Sequence, residues 1–334
     1  MRLLTSALAA ATVGLLVASC SGATAPQPTR SGPAGSVSIR TSSVPAALTV
    51  VASSLAKFTM PSAVSRPIVY PAGGGLLVVG GLTAADTTTG AIVRIDLSAG
   101  TVSTTGQLAL GVHDAGGAVV HGRDLLFGGG STAVTSAVQD VTAGTASQVI
   151  GRLPQPRADL VAVSDASSGY VLGGFDGAQG STTILRTRDG RTFTTLGALP
   201  VSVRYPAAAV NGGSIWLFGG EHAGRQVTDV QRIDLTTGLA SIAGQLPHPL
   251  AHAGAFTLGG TVFVAGGRIG ATTTATILRF DPSTMRFTTA GHLPARRSDF
   301  GAAVVDGTAY LVGGENSKPV DTVIEVRAHA GAAR

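Results

Sequence analysis

The sequence predicts an all-β fold, a six-bladed β-propeller of four-stranded antiparallel blades, and two repeating features carry that prediction. An apolar run that stops on a pair of glycines occurs six times: LLVVGG (Leu76 to Gly81), DLLFGG (Asp124 to Gly129), GYVLGG (Gly169 to Gly174), SIWLFGG (Ser214 to Gly220), TVFVAGG (Thr261 to Gly267) and AYLVGG (Ala309 to Gly314). The first glycines fall at 80, 128, 173, 219, 266 and 313, in steps of 48, 45, 46, 47 and 47 residues, a spacing characteristic of propeller blades. A second marker, Met60-Pro61, Leu108-Ala109, Leu153-Pro154, Leu199-Pro200, Leu246-Pro247 and Leu293-Pro294, advances in the same steps. Composition agrees. The chain has 334 residues, 44% of them apolar, enough for a large core in one domain. Val, Thr, Gly and Ala abound while lysine occurs only at 57 and 318, a strand-and-turn composition.

Each repeat divides into four strands. The first follows the Leu-Pro marker and is made of small and β-branched residues, as in Ala207 to Val210 or Gly301 to Val305. Six sheets converging on one axis leave little room for large side chains, which assigns this strand to the inside of its blade. A tight turn follows at Asn211-Gly212, Asp306-Gly307, His121-Gly122 or Gly259-Gly260, pairs that supply the positive φ angles of a hairpin. The glycine-pair strand returns. The third strand is of the type Val-x-Arg-Ile-Asp (Ile92 to Asp96, Val230 to Asp234, Ile277 to Asp281, and Ile184 to Thr187 more loosely), and a weaker fourth, containing Phe193 or Phe287, leads back to Leu-Pro.

The ends of the repeat region predict how the ring closes. After Gly314 only one more strand, Thr322 to Val326, fits before the sequence runs out, while Thr49 to Thr59 has the character of a fourth strand leading into Met60-Pro61. Pairing the two completes the last blade in a three-plus-one closure and removes exposed edges. The propeller then spans 48–327, with 328–334 expected as a disordered tail.

In such a blade the glycine-pair loops and the Leu-Pro loops share one face, and the hairpin turns lie on the other. The shared face collects Arg66, His113, Asp114, Arg157, Asp159, Arg204, Tyr205, His252, Arg297 and Asp299 from the Leu-Pro loops, and Asp176, Glu221, His222, Arg268, Glu315 and Asn316 from the glycine-pair loops. Ionisable groups gathered over a rigid concave scaffold are the setting of a binding site. Arginines and aspartates at strand ends also pair with one another without further function, so for any single residue a scaffold role stands beside the binding one.

The glycine pairs, the Asp after the third strand (Asp96, Asp234, Asp281) and the Leu-Pro that ends the unit resemble kelch repeats, from about Val50 to Arg327. The tyrosine the kelch pattern places before that Asp is Ile95, Ile233 or Phe280 here, and its fourth-strand tryptophan is Phe193, Phe287 or a smaller residue; the only tryptophan is Trp216 on a second strand. The resemblance implies a propeller that presents a binding face. Some bacterial kelch propellers are similar to sialic-acid mutarotases, and that likeness implies Arg204 and Arg297 as anion clamps with His113, His252 or Glu221 as acid-base groups.

The N-terminus carries a second resemblance. Met1-Arg2, the uncharged apolar stretch Leu3 to Val17, and Val17-Ala18-Ser19-Cys20 read as a secretory signal, too short for a spanning helix. The segment resembles a bacterial lipoprotein signal with Val17 in place of the usual leucine, which implies residues 1–19 as the signal peptide and Cys20 as a diacylglyceryl-bearing N-terminus. Two acyl chains suffice for stable anchoring where one does not. An ordinary signal peptide that happens to contain a cysteine is the alternative. Residues 20–47, rich in Ser, Pro, Gly and Thr, read as a flexible tether.

Several chemistries find no signature. Phosphate-loop spacings, a G-x-S-x-G elbow and H-E-x-x-H are absent, and Pro249 lies between His248 and His252, against a helical metal pair. Galactose oxidase has a kelch-like propeller, but its site needs a tyrosine crosslinked to a cysteine, and the single cysteine is Cys20. Thr187 to Phe193 resembles a shortened Asp-box. The formal charge of +5 is spread over the repeats and only 4% of residues are aromatic, which gives no nucleic-acid groove. The expectation is a monomeric propeller without cofactor or metal, lipid-anchored on the extracytoplasmic side of a cell membrane. Its charged face would bind a protein or an envelope glycan, with an acidic-sugar mutarotase or epimerase as the alternative.

Overall fold

The computed structural model describes residues 48–165 and 167–330; the signal, Cys20 and the tether lie outside them. Six four-stranded antiparallel sheets form the blades, in the order first, second, third and fourth strand from the axis outwards. The fourth blade is representative: Ala207–Asn211, Ser214–Phe218, Asp229–Asp234 and Ala240–Gln245. Small residues do line the axis. The first strands Ile68–Ala72, Gly116–Val120, Ala158–Ser164, Ala207–Asn211, Gly254–Leu258 and Gly301–Val305 each pack against the first strands of both neighbours, the last returning to the first.

The ring closes by the three-plus-one route. Leu48–Thr59 pairs antiparallel with Thr322–Ala330, from Leu48 opposite Ala330 to Thr59 opposite Thr322, and completes the sheet begun by Gly301–Val305 and Thr308–Val312. The closing strand runs to Ala330, three residues past the sequence boundary at 327, because Val50 to Ala52 supply backbone partners for Arg327 to His329.

The core lies between blades. Six apolar clusters occur, one at each junction, and each draws from the facing sides of two neighbouring blades. Trp216 illustrates the substitution of one packing solution for another. It sits on a second strand, 4.9 Å from the Phe280 ring of the next blade, and fills the junction between the fourth and fifth blades.

Each sequence marker has a mechanical role. The six second glycines, Gly81, Gly129, Gly174, Gly220, Gly267 and Gly314, each donate their backbone N–H to a carbonyl of the next blade (Val112, Arg157, Val203, Leu250, Arg297 and Val64) at 2.8 Å. The first glycines adopt φ between 57° and 64° and lie so close to those carbonyls that a Cβ would stand 2.1 to 2.5 Å from the oxygen. Only glycine fits there. The Leu-Pro leucines are buried and their N–H groups bind backward to the residue just before the third strand of the same blade, as Leu246 does to Thr228.

A third marker escaped the sequence reading. Gly106, Gly151, Gly197, Gly244 and Gly291 sit at bulges in the fourth strands, where the register against the third strand shifts. At Gly197 a Cβ would stand 2.2 Å from the Gly238 carbonyl of the next blade, so the bulge seats one blade's edge on its neighbour's turn. One turn also differs from expectation. In the fourth blade the positive-φ pair is Gly212-Gly213, because Asn211 is the last strand residue and donates from Nδ2 to the Gly260 carbonyl at 2.8 Å.

Two glycine substitutions separate strain from crowding. Gly212→Ala meets nothing within 4 Å at φ 58° and is expected to cost about 1 kcal/mol. Gly219→Ala, at φ 57° with the Leu250 oxygen 2.1 Å from the new Cβ, is expected to cost about 3 kcal/mol or more. Denaturant unfolding of both variants measures the difference, and equal losses would remove this glycine-pair latch, the second-glycine N–H bonded to the next blade's carbonyl, from its structural role.

Candidate functional site

One position in the repeat builds the mouth of the axial cavity. Arg66, Asp114, Asp159, Tyr205, His252 and Asp299 follow the latch carbonyl by two residues in each blade, and all six adopt left-handed φ between 51° and 58°. Non-glycine residues rarely do so, and here the conformation is enforced by neighbours on both sides. Five of the six junctions carry a backbone hydrogen bond: Arg66 to the Asp299 carbonyl, Asp159 to Asp114, Tyr205 to Asp159, His252 to Tyr205 and Asp299 to His252, at 2.6 to 3.0 Å. At the remaining junction the side chains make the link, with Arg66 Nη1 donating to Asp114 Oδ2 at 2.9 Å. The six residues rim a cavity of about 300 Å³ whose walls are small and apolar residues such as Ile68, Ala162, Ala208, Ala255 and Ala302.

A second tier comes from the residue after each glycine pair, which in the third, fourth and fifth blades reaches toward the next blade. Phe175 lies under Arg204, 4.6 Å from its guanidinium carbon. Glu221 Oε1 stands 3.3 Å from His252 Nε2, and Arg268 Nη2 reaches Asp299 Oδ2 at 2.9 Å and also pairs with Glu315. The equivalent residues of the first two blades are Leu82 and Gly130. The polar tier therefore covers only part of the mouth.

Charge in the mouth is heavily paired. Arg204 donates from Nε to Asp159 Oδ2 at 2.6 Å, and its Nη2 stands 2.6 Å from the same oxygen. His252 lies 2.6 Å from Asp299 through Nδ1 and stacks on Tyr205, ring centroids 4.1 Å apart. Burial works to raise the Asp299 carboxyl, but the His252 hydrogen bond and charge, with Arg66 and Arg268, outweigh it and hold the group below its ordinary range. Asp114 goes the other way: burial, reinforced by Asp159 and Asp299, pushes it up to about 6 against the opposing pull of Arg66. Burial and the Arg66 charge lower His113, whose Nδ1 lies 2.9 Å from Thr88 Oγ1. Burial, then Asp114 and Asp159, raise the Tyr205 phenol.

Several expected site residues are not in the mouth. Arg157 and Arg297 occupy the latch position itself, where the other blades have Val64, Val112, Val203 and Leu250, and their side chains run into the junctions between blades. Arg297 is 2% exposed; Nη1 donates to the Gly313 carbonyl at 2.6 Å and Nη2 to Thr322 Oγ1 at 2.9 Å. Arg157 donates to the Thr183 carbonyl at 3.0 Å, and burial pushes its guanidinium down to about 10. Arg297 is therefore no anion clamp. The error has a simple source, since two residues along a left-handed turn separate a side chain aimed into a junction from one aimed at the axis. His222 is also off the ring, near the Ser202 carbonyl at 2.8 Å, in an outer cleft with Phe175 and Arg204. Asp176 caps its own loop by accepting from the Ala178 and Gln179 amides, and Asn316 lies in the short ribbon Glu315–Asn316.

Phe175, Ser298 and Thr88 were not expected. Ser298 bridges Arg268 and Asp299, accepting from the first at 3.1 Å and donating to the second at 2.7 Å. The steps between the six rim residues match those of the glycine pairs, and that signal was available for Ser298 too, as it directly precedes one of them.

Fold and site define a propeller with a charged axial mouth. The chain belongs to the kelch-repeat family described as the KLHDC2/KLHL20/DRC7 Kelch-repeats domain, which matches residues 118–314. Its fold is similar to that of the solved "Structure of YjhT", at 16% identity and a TM-score of 0.67, covering 80% of this chain and 96% of that one. No curated protein matches the sequence.

Two measurements test this assignment of roles. Arg297→Leu is expected to cost about 1 to 3 kcal/mol, because it leaves two buried acceptors without their donor, yet to leave the mouth intact. Changed resonances at Tyr205 or His252 in that variant would contradict the assignment. Asp114 binds its proton more tightly when folded, so its contribution to stability is present at low pH and is lost as pH rises from 3.8 through about 6. The melting temperature of the wild type, relative to Asp114→Asn, is expected to fall across that interval.

Proposed function

We propose that this kelch propeller is a non-catalytic interaction module, held on the extracytoplasmic side of a membrane by a lipid on Cys20, whose mouth face engages a protein partner. The rim carries the reading. Six residues that the fold holds in a costly left-handed conformation project different side chains at one axial opening, which is expensive for a scaffold and useful for recognition. The anchor rests on the N-terminal signal alone. An envelope glycan is the other macromolecular partner this face would suit.

A photocrosslinking amino acid at His222, exposed on the mouth face, is expected to capture a partner in intact cells, and one at His121, exposed on the opposite hairpin turns, is not. Capture from His121 alone would overturn the face assignment. Cys20→Ser is expected to abolish acyl labelling and release the protein from the membrane fraction; retention of both would remove the anchor.

One observation favours a second reading, proton transfer on a sugar: Asp114, pushed up to about 6, shares the cavity with His252. Against an acidic sugar, Arg204 is committed to Asp159 and Arg297 is buried. Turnover of a neutral or acidic sugar observed by NMR, and lost in Asp114→Asn, would establish that reading over the first.

A further inference from the structure

We propose that the mouth recognises an organic cation, an ammonium or guanidinium side chain of the partner, seated between Asp114 and Asp159. This rests on the reading of the mouth as the binding face. It inverts the expectation of an anion site that the arginines suggested.

Among the described residues every guanidinium of the mouth is ion-paired. Arg66 is held by Asp114 and Asp299, Arg204 by Asp159, and Arg268 by Asp299 and Glu315. With Glu221 there are five carboxylates against these three guanidiniums and the His252 imidazole, so an arriving anion would have to break an existing pair while an arriving cation would not.

Asp114 and Asp159 occupy neighbouring places in the rim, and each carboxylate raises the electrostatic cost of the other. Their side chains are only 7% and 5% exposed and both line the cavity. Each takes its arginine on Oδ2, and Asp114 Oδ1 accepts no hydrogen bond from the described residues. The free oxygen of a largely buried carboxylate that lines the cavity, beside a second carboxylate that repels it, is an acceptor left for a ligand. No group of three His, Cys, Asp or Glu side chains among the described residues converges as a metal's donor set, which points to an organic cation instead. The Tyr205 ring lines the same opening, with one face stacked on His252.

The test uses the full chain and four small probes: the Nα-acetyl methylamides of lysine, arginine, norleucine and glutamate. Backbone amide resonances of Asp114, Asp159 and Tyr205 are followed during titration. Saturable shifts with lysine or arginine, at affinities at least roughly tenfold above norleucine and glutamate, are expected, the scale of one charge pair in a partly desolvated site. In Asp114→Asn/Asp159→Asn the preference for the cationic probes is expected to be lost, because both carboxylates are gone, while Arg66 keeps Asp299 and Arg204 alone is freed. Should that variant fail to fold, Asp114→Asn alone is expected to weaken the cationic probes.

Glutamate binding the wild-type mouth as well as lysine, or no saturable shift with either cationic probe, overturns the proposal. If the crosslinker at His222 still captures a partner in that case, only the ligand class has failed. If capture fails as well, the mouth is not the binding face.

Discussion

One hydrogen bond, made six times, organises this protein: the N–H of the second glycine in each pair donates to a carbonyl of the following blade at 2.8 Å. It requires a left-handed first glycine pressed against the same carbonyl, and any side chain there would collide with that oxygen. The bond from Gly314 to Val64 spans the closure of the ring, so the junction between the ends of the propeller is made like the other five. With the closing strand Leu48–Thr59 beside Thr322–Ala330, neither end of the ring is left as a free edge.

The latch also builds the mouth. Fixing the carbonyl at Val203 or Leu250 fixes the turn that follows, and two residues later the chain is in the left-handed conformation that aims Tyr205 or His252 at the axis. The backbone there repeats from blade to blade, with five of six rim junctions closed by main-chain bonds, while the side chains differ in every blade except for recurring aspartate. A repeated scaffold thus presents an unrepeated surface. Recognition resides in the departures from repetition.

Burial and charge then distribute the roles. At the latch position Arg157 and Arg297 give their guanidinium groups to backbone acceptors of their own blade, where Val or Leu elsewhere makes apolar contact. At the rim, pairing pulls neighbouring carboxylates apart: Asp299, with His252, Arg66 and Arg268 around it, is held ionised, whereas Asp114, with Asp159 and Asp299 near it, holds its proton up to about 6.

The spacing of Gly80, Gly128 and their successors, by itself, determined the number of blades, the strand order within each and the three-plus-one closure, because these follow from local turn chemistry repeated at a constant period. It also placed Arg66, Asp114, Tyr205, His252 and Asp299 on one face. It did not separate Arg297 from Asp299, two residues apart and equally polar, one buried between blades and the other on the axis. Nor did it reveal that Gly197 seats one blade on the next, or that each arginine of the mouth is neutralised by a carboxylate from a different repeat. Those features depend on where residues distant in sequence meet, and only the tertiary structure decided them: a repeat encodes its own strands and turns, but a contact between repeats exists only once the ring has closed.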